Sequence, residues 1–198
     1  MMLDGSKLTA LVVGGGGVAL RKVRALLEGG ARVAVVAIDV DPELHSLAES
    51  EPRLTVTQAP YSDGYIGDAT IVIAATDDAA VNARVAGDAM TRHRLVNVVG
   101  APGVGTFLTS AVHRSGDLTI AIFTGRLPGA AVAIRDSVAE RFDGRYAAAI
   151  ADLRDLRDRL LASGDRTAWK AISDDVLGDS FCADVERGSI AARVGAWR

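Results

Sequence analysis

Apolar residues fall into short runs separated by polar or glycine-rich turns. Leu8–Val13 (LTALVV) predicts a buried strand. Val18–Glu28 then places Val18, Leu20, Val23, Leu26 and Leu27 near helical spacing, and Gly29-Gly30 ends that helix. Arg32–Ile38 (RVAVVAI) is almost continuously apolar, as in a parallel sheet covered on both faces. A helix is predicted over Asp41–Ser50, a short strand over Leu54–Thr57 and another over Thr70–Ala75. Asp77–Met90 reads as a helix with Val81, Val85 and Ala89 at i+4 steps and Thr76 or Asp77 as its N-cap; Leu95–Val99 is a fifth strand. This alternation of strand and helix predicts an α/β fold, a Rossmann-like doubly wound parallel sheet.

The pattern changes after Gly100. Thr106–Thr109 and Leu118–Ile122 read as shorter strands, and Pro128 opens a helix reaching about Phe142. Arg145–Leu161 is a long helix with Tyr146, Ala149, Leu153, Leu156 and Leu160 on one stripe, and Asp155 and Arg159 form an i,i+4 pair on the wet side. So apolar a stripe needs a partner, either the sheet domain or a second subunit. Trp169–Arg198 is weakly helical. The expected organisation is a dinucleotide-binding domain over 1–110, a small α+β dimerisation segment over 111–144 and a helical C-terminal region over 145–198.

Composition narrows the function classes. At 49% apolar, the 198 residues can bury a real core, and at 5% aromatic they offer little platform for stacking bases. The formal charge of −3 and the lack of a like-charge block argue against polyanion binding or a membrane surface as the main task. Cys182 is the single cysteine, so an internal disulfide is impossible and a cysteine-based zinc site is implausible. His45 and His93 sit in helical surface contexts and do not pair at metal-ligand spacing, so no metal is expected. With no secretion signal and no apolar run of about 18 residues, a cytoplasmic location is expected.

Candidate chemistry begins at the first turn. Gly14-x-Gly16-x-x-Ala19 follows a strand, opens a helix and is followed by a second strand, the order required of a dinucleotide turn. Glycines admit a diphosphate close to the backbone, where free N–H groups and the helix dipole hold its charge. Asp39 lies near the ~20-residue offset at which an acid meets the ribose hydroxyl, with Asp41 as its rival. A carboxylate there favours NAD over NADP. The loop is not a P-loop, because Lys22 lies within the helix.

Further residues carry a family resemblance. GGGGVALRK (Gly14–Lys22), AATDDAAVN (Ala74–Asn82), NVVGAP (Asn97–Pro102), the Phe107 strand and LTIAIFTG (Leu118–Gly125) with a helix after Pro128 occur in order. Together they resemble the precorrin-2 dehydrogenase/sirohydrochlorin ferrochelatase family, which also forms the N-terminal part of siroheme synthases. The resemblance implies a Rossmann NAD domain and a homodimer with the tetrapyrrole in a cleft between that domain and the dimer region. It implies oxidation of precorrin-2 to sirohydrochlorin by hydride transfer to NAD, followed in some members by iron insertion. It implies NAD contacts at Gly17, Val18, Ile38 and Asp39, with Ala75 and Thr76 flanking the dinucleotide.

The substrate half departs from that family. NVVD or NVAD is usual where this chain has Asn97-Val98-Val99-Gly100, and the aspartate is the family's key acid/base group. Gly100 cannot take a proton, and general acid–base help is worth roughly 10²–10⁴-fold. Metal insertion is therefore not expected. The loop from Phe123 to Pro128 is one residue shorter than the family's S-[ST]-G-G-x-S-P, with Thr124 at the second hydroxyl position. His113 is a candidate replacement for the missing acid, against a plain surface role. A substrate rich in carboxylates calls for cations: Arg126 in the altered loop, then Arg114 and Arg135, each otherwise a solvated charge or a dimer salt bridge. Two alternatives stay open: a different small-molecule substrate, and a non-catalytic dimer that reads NADH.

Overall fold

Valine- and isoleucine-rich runs become the strands of a five-stranded parallel sheet in the computed structural model, which describes residues 3–101, 103–125 and 127–197. β1 (Thr9–Val13), β2 (Arg32–Ala37), β3 (Leu54–Gln58), β4 (Ile71–Ala74) and β5 (Leu95–Val98) stand in the order β3-β2-β1-β4-β5. Their side chains alternate between two cores. Ala10 and Val12 pack with Ala19, Leu20 and Val23 of α1 (Gly17–Glu28) and Leu44 of α2 (Pro42–Ser50). Leu11 and Val13 pack with Val85, Ala86 and Ala89 of α3 (Ala79–Thr91) on the other face. β1 therefore has β2 on one side and β4 on the other, with Val13 in register with both Val36 and Ala74. That reversal is the topological switch point, where such sheets bind ligands beyond the strands' carboxyl ends.

Details around this sheet differ from expectation. The N-cap of α3 is Asp78, whose carboxylate accepts the Ala80 and Val81 amides, rather than Thr76 or Asp77. His93 is in a left-handed turn (φ 56°) beyond α3, not on a helix. Residues 106–109 are not a strand: the Thr106 and Phe107 amides both donate to one carbonyl, Val96 O, so no ladder propagates.

The chain forms two compact units, the first ending at Thr109 and the second starting at Ser110. The second opens with an antiparallel hairpin of β6 (Ala111–Ser115) and β7 (Leu118–Ile122), where only β7 was expected; polar Arg114 and Ser115 hide β6 from a hydrophobicity reading. α4 (Pro128–Arg141) follows, and then α5 (Gly144–Ala162), whose N-cap Asp143 accepts the Arg145 amide. The apolar stripe of α5 finds its partner within its own unit. Tyr146, Ala149, Leu153 and Leu156 pack against Ile172 and Val176 of α6 (Arg166–Val176), Val185 of α7 (Phe181–Glu186), and Ile190 and Val194 of α8 (Ile190–Gly195). The expected choice between the sheet and a second subunit is corrected accordingly. The expected Asp155–Arg159 ion pair is also absent: Arg159 reaches the Asp155 backbone carbonyl, while the carboxylate pairs with Arg154.

One buried carboxylate ties the last two helices together. Asp184 accepts from Ser180 Oγ (2.8 Å), Arg187 Nη2 (2.6 Å), Arg193 Nη1 (2.8 Å) and Ser189 Oγ (3.2 Å). These bonds, that of Ser180 foremost and that of Arg187 next, hold its pKa below the ordinary aspartate value. Among the described residues, no helix is long and apolar enough to cross a membrane.

Candidate functional site

The four consecutive glycines divide into two pairs with different duties. Gly14 (φ +120°) and Gly15 are buried, and a Cβ on either would strike backbone: Ala75 O at 2.3 Å from Gly14, and Asp39 O at 2.2 Å from Gly15. These two let the ends of β4 and β2 close against β1. Gly16 and Gly17 are exposed, and a Cβ on either would meet nothing within 4 Å. Packing does not require glycine at those two positions. What remains is room for a group to approach the backbone.

The helix start beside that room is open to an anion. Gly16 is the N-cap of α1 and provides no side-chain cap; the first intrahelical bond runs from Leu20 N–H to Gly16 O. The first-turn amides of Gly17, Val18 and Ala19 are left for an outside acceptor, and the helix dipole favours a negative one. The residues present fit a dinucleotide diphosphate here.

At the end of β2, Ile38 is 65% exposed although apolar, and its carbonyl is fixed by Gln58 Nε2 at 2.9 Å. Asp39 is exposed next to it. Asp41, its rival in the sequence, is already used: its carboxylate caps α2 by accepting the Glu43 amide at 2.8 Å, and its own amide donates to Gly15 O. At the end of β4, Ala75 donates its amide to Val13 O, and Thr76 is held by the buried Asn82. Asn82 Oδ1 accepts from Thr76 N (3.1 Å) and Thr76 Oγ1 (2.8 Å), and Asn82 Nδ2 donates to Thr76 O (2.8 Å). This clamp fixes the crossover that faces the glycine turn. Its sequence signal is a Thr with an Asn six residues on, across a helix start. Gly100 follows β5, exposed, at φ +78° and with open space where a Cβ would stand.

The structure thus brings Gly14, Gly16, Gly17, Val18, Ile38, Asp39, Ala75, Thr76 and Gly100 to one edge of the sheet. The other candidates lie in the second unit. His113 is mid-strand in β6 rather than at a strand end, and its Nε2–H donates to Phe142 O at 2.7 Å, which commits that nitrogen to the backbone. Arg114 donates to Thr119 Oγ1 across the hairpin, Thr124 Oγ1 donates to Leu127 O at 2.6 Å, and Arg135 pairs with Asp136. Arg126, and Pro102 of the NVVGAP motif, lie outside the described residues.

Sheet order and glycine turn together define a Rossmann-type dinucleotide-binding protein. Residues 1–111 match a family of NAD(P)-binding domains, and the chain belongs to that family. It is 34% identical over 191 residues to a siroheme synthase of Methylobacillus flagellatus, a match covering 90% of this chain and 39% of that protein. It is 36% identical over 185 residues to a siroheme synthase of Pseudomonas entomophila, covering 93% of this chain and 38% of that one. The chain therefore spans under two fifths of the curated relatives it matches. A solved structure of SirC, a precorrin-2 dehydrogenase, superposes with a TM-score of 0.81 over 100% of this chain and 97% of that one, at 24% identity. At that identity the likeness speaks for the fold, hairpin and helical region included.

Proposed function

We propose that this chain is an NAD-dependent dehydrogenase of the siroheme pathway type, oxidising precorrin-2 or a related tetrapyrrole to sirohydrochlorin. The observation that carries this is the open pair Gly16-Gly17 at an uncapped helix start, in a chain that is similar over nine tenths of its length to siroheme synthases. The first-turn amides hold the diphosphate, Ile38 offers an apolar surface to the adenosine, and Asp39 takes the ribose hydroxyls and repels a 2′-phosphate. Bound there, NAD supplies the hydride acceptor, its nicotinamide C4. The chain aligns the donor carbon with it, and positioning alone is worth several kcal/mol.

On this reading Gly100 takes the position of the acid/base aspartate of the dehydrogenase family that the sequence resembles, and the proton that accompanies the hydride leaves to water or to another base. The backbone there can take an aspartate better than most side chains: the space is open, and Asp is among the residues that tolerate positive φ. A homodimer fits the second unit, which exposes Val112 on β6, Phe123 and Leu127 before α4, and Val132 and Ile134 on it. A second reading, the same fold acting on a different small molecule, is favoured by Gly100 and by the shortened stretch from Phe123 to Pro128 in the sequence.

Incubation with precorrin-2 and NAD, followed at 340 nm, tests the activity. NADH formation that needs both reactants supports it, and none beside an active control removes it. Gly100→Asp separates the readings: a tenfold or greater rise in precorrin-2 oxidation marks a family member that has lost its acid, and an unchanged rate favours another substrate.

A further inference from the structure

Helix α1 carries a cation that turns inward. Lys22 is partly buried, and its ammonium donates to Thr109 Oγ1 at 2.6 Å. Among the described residues, the ion pair made by α1 is that of Arg24 with Glu43; no carboxylate stands within pairing distance of Lys22. Burial, with Arg21 beside it, holds its pKa below the ordinary lysine value. A partly desolvated ammonium therefore rests on a neutral hydroxyl, although a carboxylate would bind it about twice as strongly.

The position of this lysine–hydroxyl pair relates it to the dinucleotide turn. Val99 and Phe107 pack on the same core face as Ala19 and Val23. The segment leading to Thr109 is pinned to β5 by Thr106 N–H to Val96 O (2.7 Å) and by Asn97 Nδ2 to Phe107 O (3.0 Å). The Lys22 ammonium thus reaches from α1 to the segment that follows β5, away from the β2 end that carries Asp39. With the adenosine at Asp39, the β4–β5 side is left for the nicotinamide and the molecule that gives up hydride. Lys22 is also five residues beyond Gly17, roughly 7.5 Å along the helix from the first-turn amides, too far back to share the diphosphate.

We propose that Lys22 binds a carboxylate of the substrate, exchanging the Thr109 hydroxyl for a charged acceptor. The inference rests on the tetrapyrrole dehydrogenase reading above, since tetrapyrroles of this type are polycarboxylates. Lys22 is a specificity-determining residue on this view, and Thr109 is its resting partner.

The test titrates the full-length chain with uroporphyrin, a tetrapyrrole with eight carboxylates, by fluorescence, and with NAD by calorimetry. Precorrin-2 kinetics run in parallel. Lys22→Met is expected to weaken uroporphyrin about tenfold and to raise the KM for precorrin-2 by a similar factor, with kcat within threefold and NAD affinity within twofold. Lys22→Arg retains most of the binding. Thr109→Val removes the hydrogen bond but not the charge and is expected to stay within twofold of the parent. Equal losses in Lys22→Met and Thr109→Val would mark a structural tether and overturn the proposal, as would a loss confined to NAD or no loss at all. If the parent binds uroporphyrin but does not oxidise precorrin-2, the activity fails while the Lys22→Met titration still decides the role of the lysine. If the parent binds no uroporphyrin, both fail.

Discussion

Alanine at Gly14 and alanine at Gly16 should do opposite things, because one glycine serves the fold and the other the ligand. At Gly14 the backbone sits at φ +120°, and an added Cβ would lie 2.3 Å from Ala75 O and 2.6 Å from its carbonyl carbon. Strain at such a φ costs about 1–3 kcal/mol and overpacking against backbone about 1–3 more. A loss near 4 kcal/mol is expected, and at roughly 4 °C per kcal/mol for a unit that ends at Thr109 the melting temperature of the first unit falls by about 16 °C. At Gly16 the backbone is extended (φ −85°, ψ −176°), which any residue adopts, and no atom lies within 4 Å of the added Cβ. Alanine is a poorer N-cap than glycine by about 0.5–1 kcal/mol, but it also restricts the unfolded chain by about 0.4–1 kcal/mol. These nearly cancel, so Gly16→Ala should melt within about 3 °C of the parent. Its methyl group nevertheless occupies the space through which a diphosphate reaches the first-turn amides. NAD affinity should fall at least tenfold, about 1.4 kcal/mol or more. Thermal melts with and without NAD, and calorimetric titration, read both quantities. A Gly16→Ala protein that binds NAD like the parent, or that melts as low as Gly14→Ala, would refute the division of the turn.

Asp39→Ser should narrow the preference for NAD over NADP by about tenfold in calorimetry, since the carboxylate is exposed at the β2 end while Asp41 is committed to its cap; an unchanged ratio would clear Asp39 of that role. Asn82→Ala removes three hydrogen bonds to Thr76 and leaves buried polar groups unsatisfied, so a loss of about 2–4 kcal/mol is expected in urea unfolding, along with weaker NAD binding. Asp184 links stability to acid. Its folded-state pKa is depressed below 3.8, so the stabilisation is full above that value and fades as pH falls through the lower folded-state value. Acid melts below pH 4 followed by circular dichroism should show this fading, and Asp184→Asn should flatten it; a parallel curve in the variant would locate the acid sensitivity elsewhere.

The sheet was legible because its information is local. β1, β2 and β4 are near-continuous apolar runs, and α1 announces itself by Gly16 before and Gly29 after. The glycine turn was legible as a motif, but its division of labour was not. Gly14 and Gly15 are fixed by Ala75 and Asp39, which arrive from β4 and β2 and are distant in sequence. Distance in the chain also hid Lys22, whose partner Thr109 is 87 residues away. It hid the true cover of the α5 stripe, because α7 and α8 are six residues each and too short to show a helical period. Asp78 displaced Thr76 as the α3 cap for a related reason: Asn82, one turn into the helix, draws Thr76 into a different set of bonds. His113 looked available only because Phe142, 29 residues on, could not be foreseen as its acceptor.

Calorimetric titration of the purified chain with NAD and with NADP tests most directly whether the helix start at Gly16 holds a diphosphate beside an acid that selects the ribose. Saturable binding of NAD below millimolar concentration, with NADP at least tenfold weaker and NAD affinity at least tenfold lower in Gly16→Ala, is the expected result. Uptake of neither dinucleotide at millimolar concentration, or tighter binding of NADP, would contradict it.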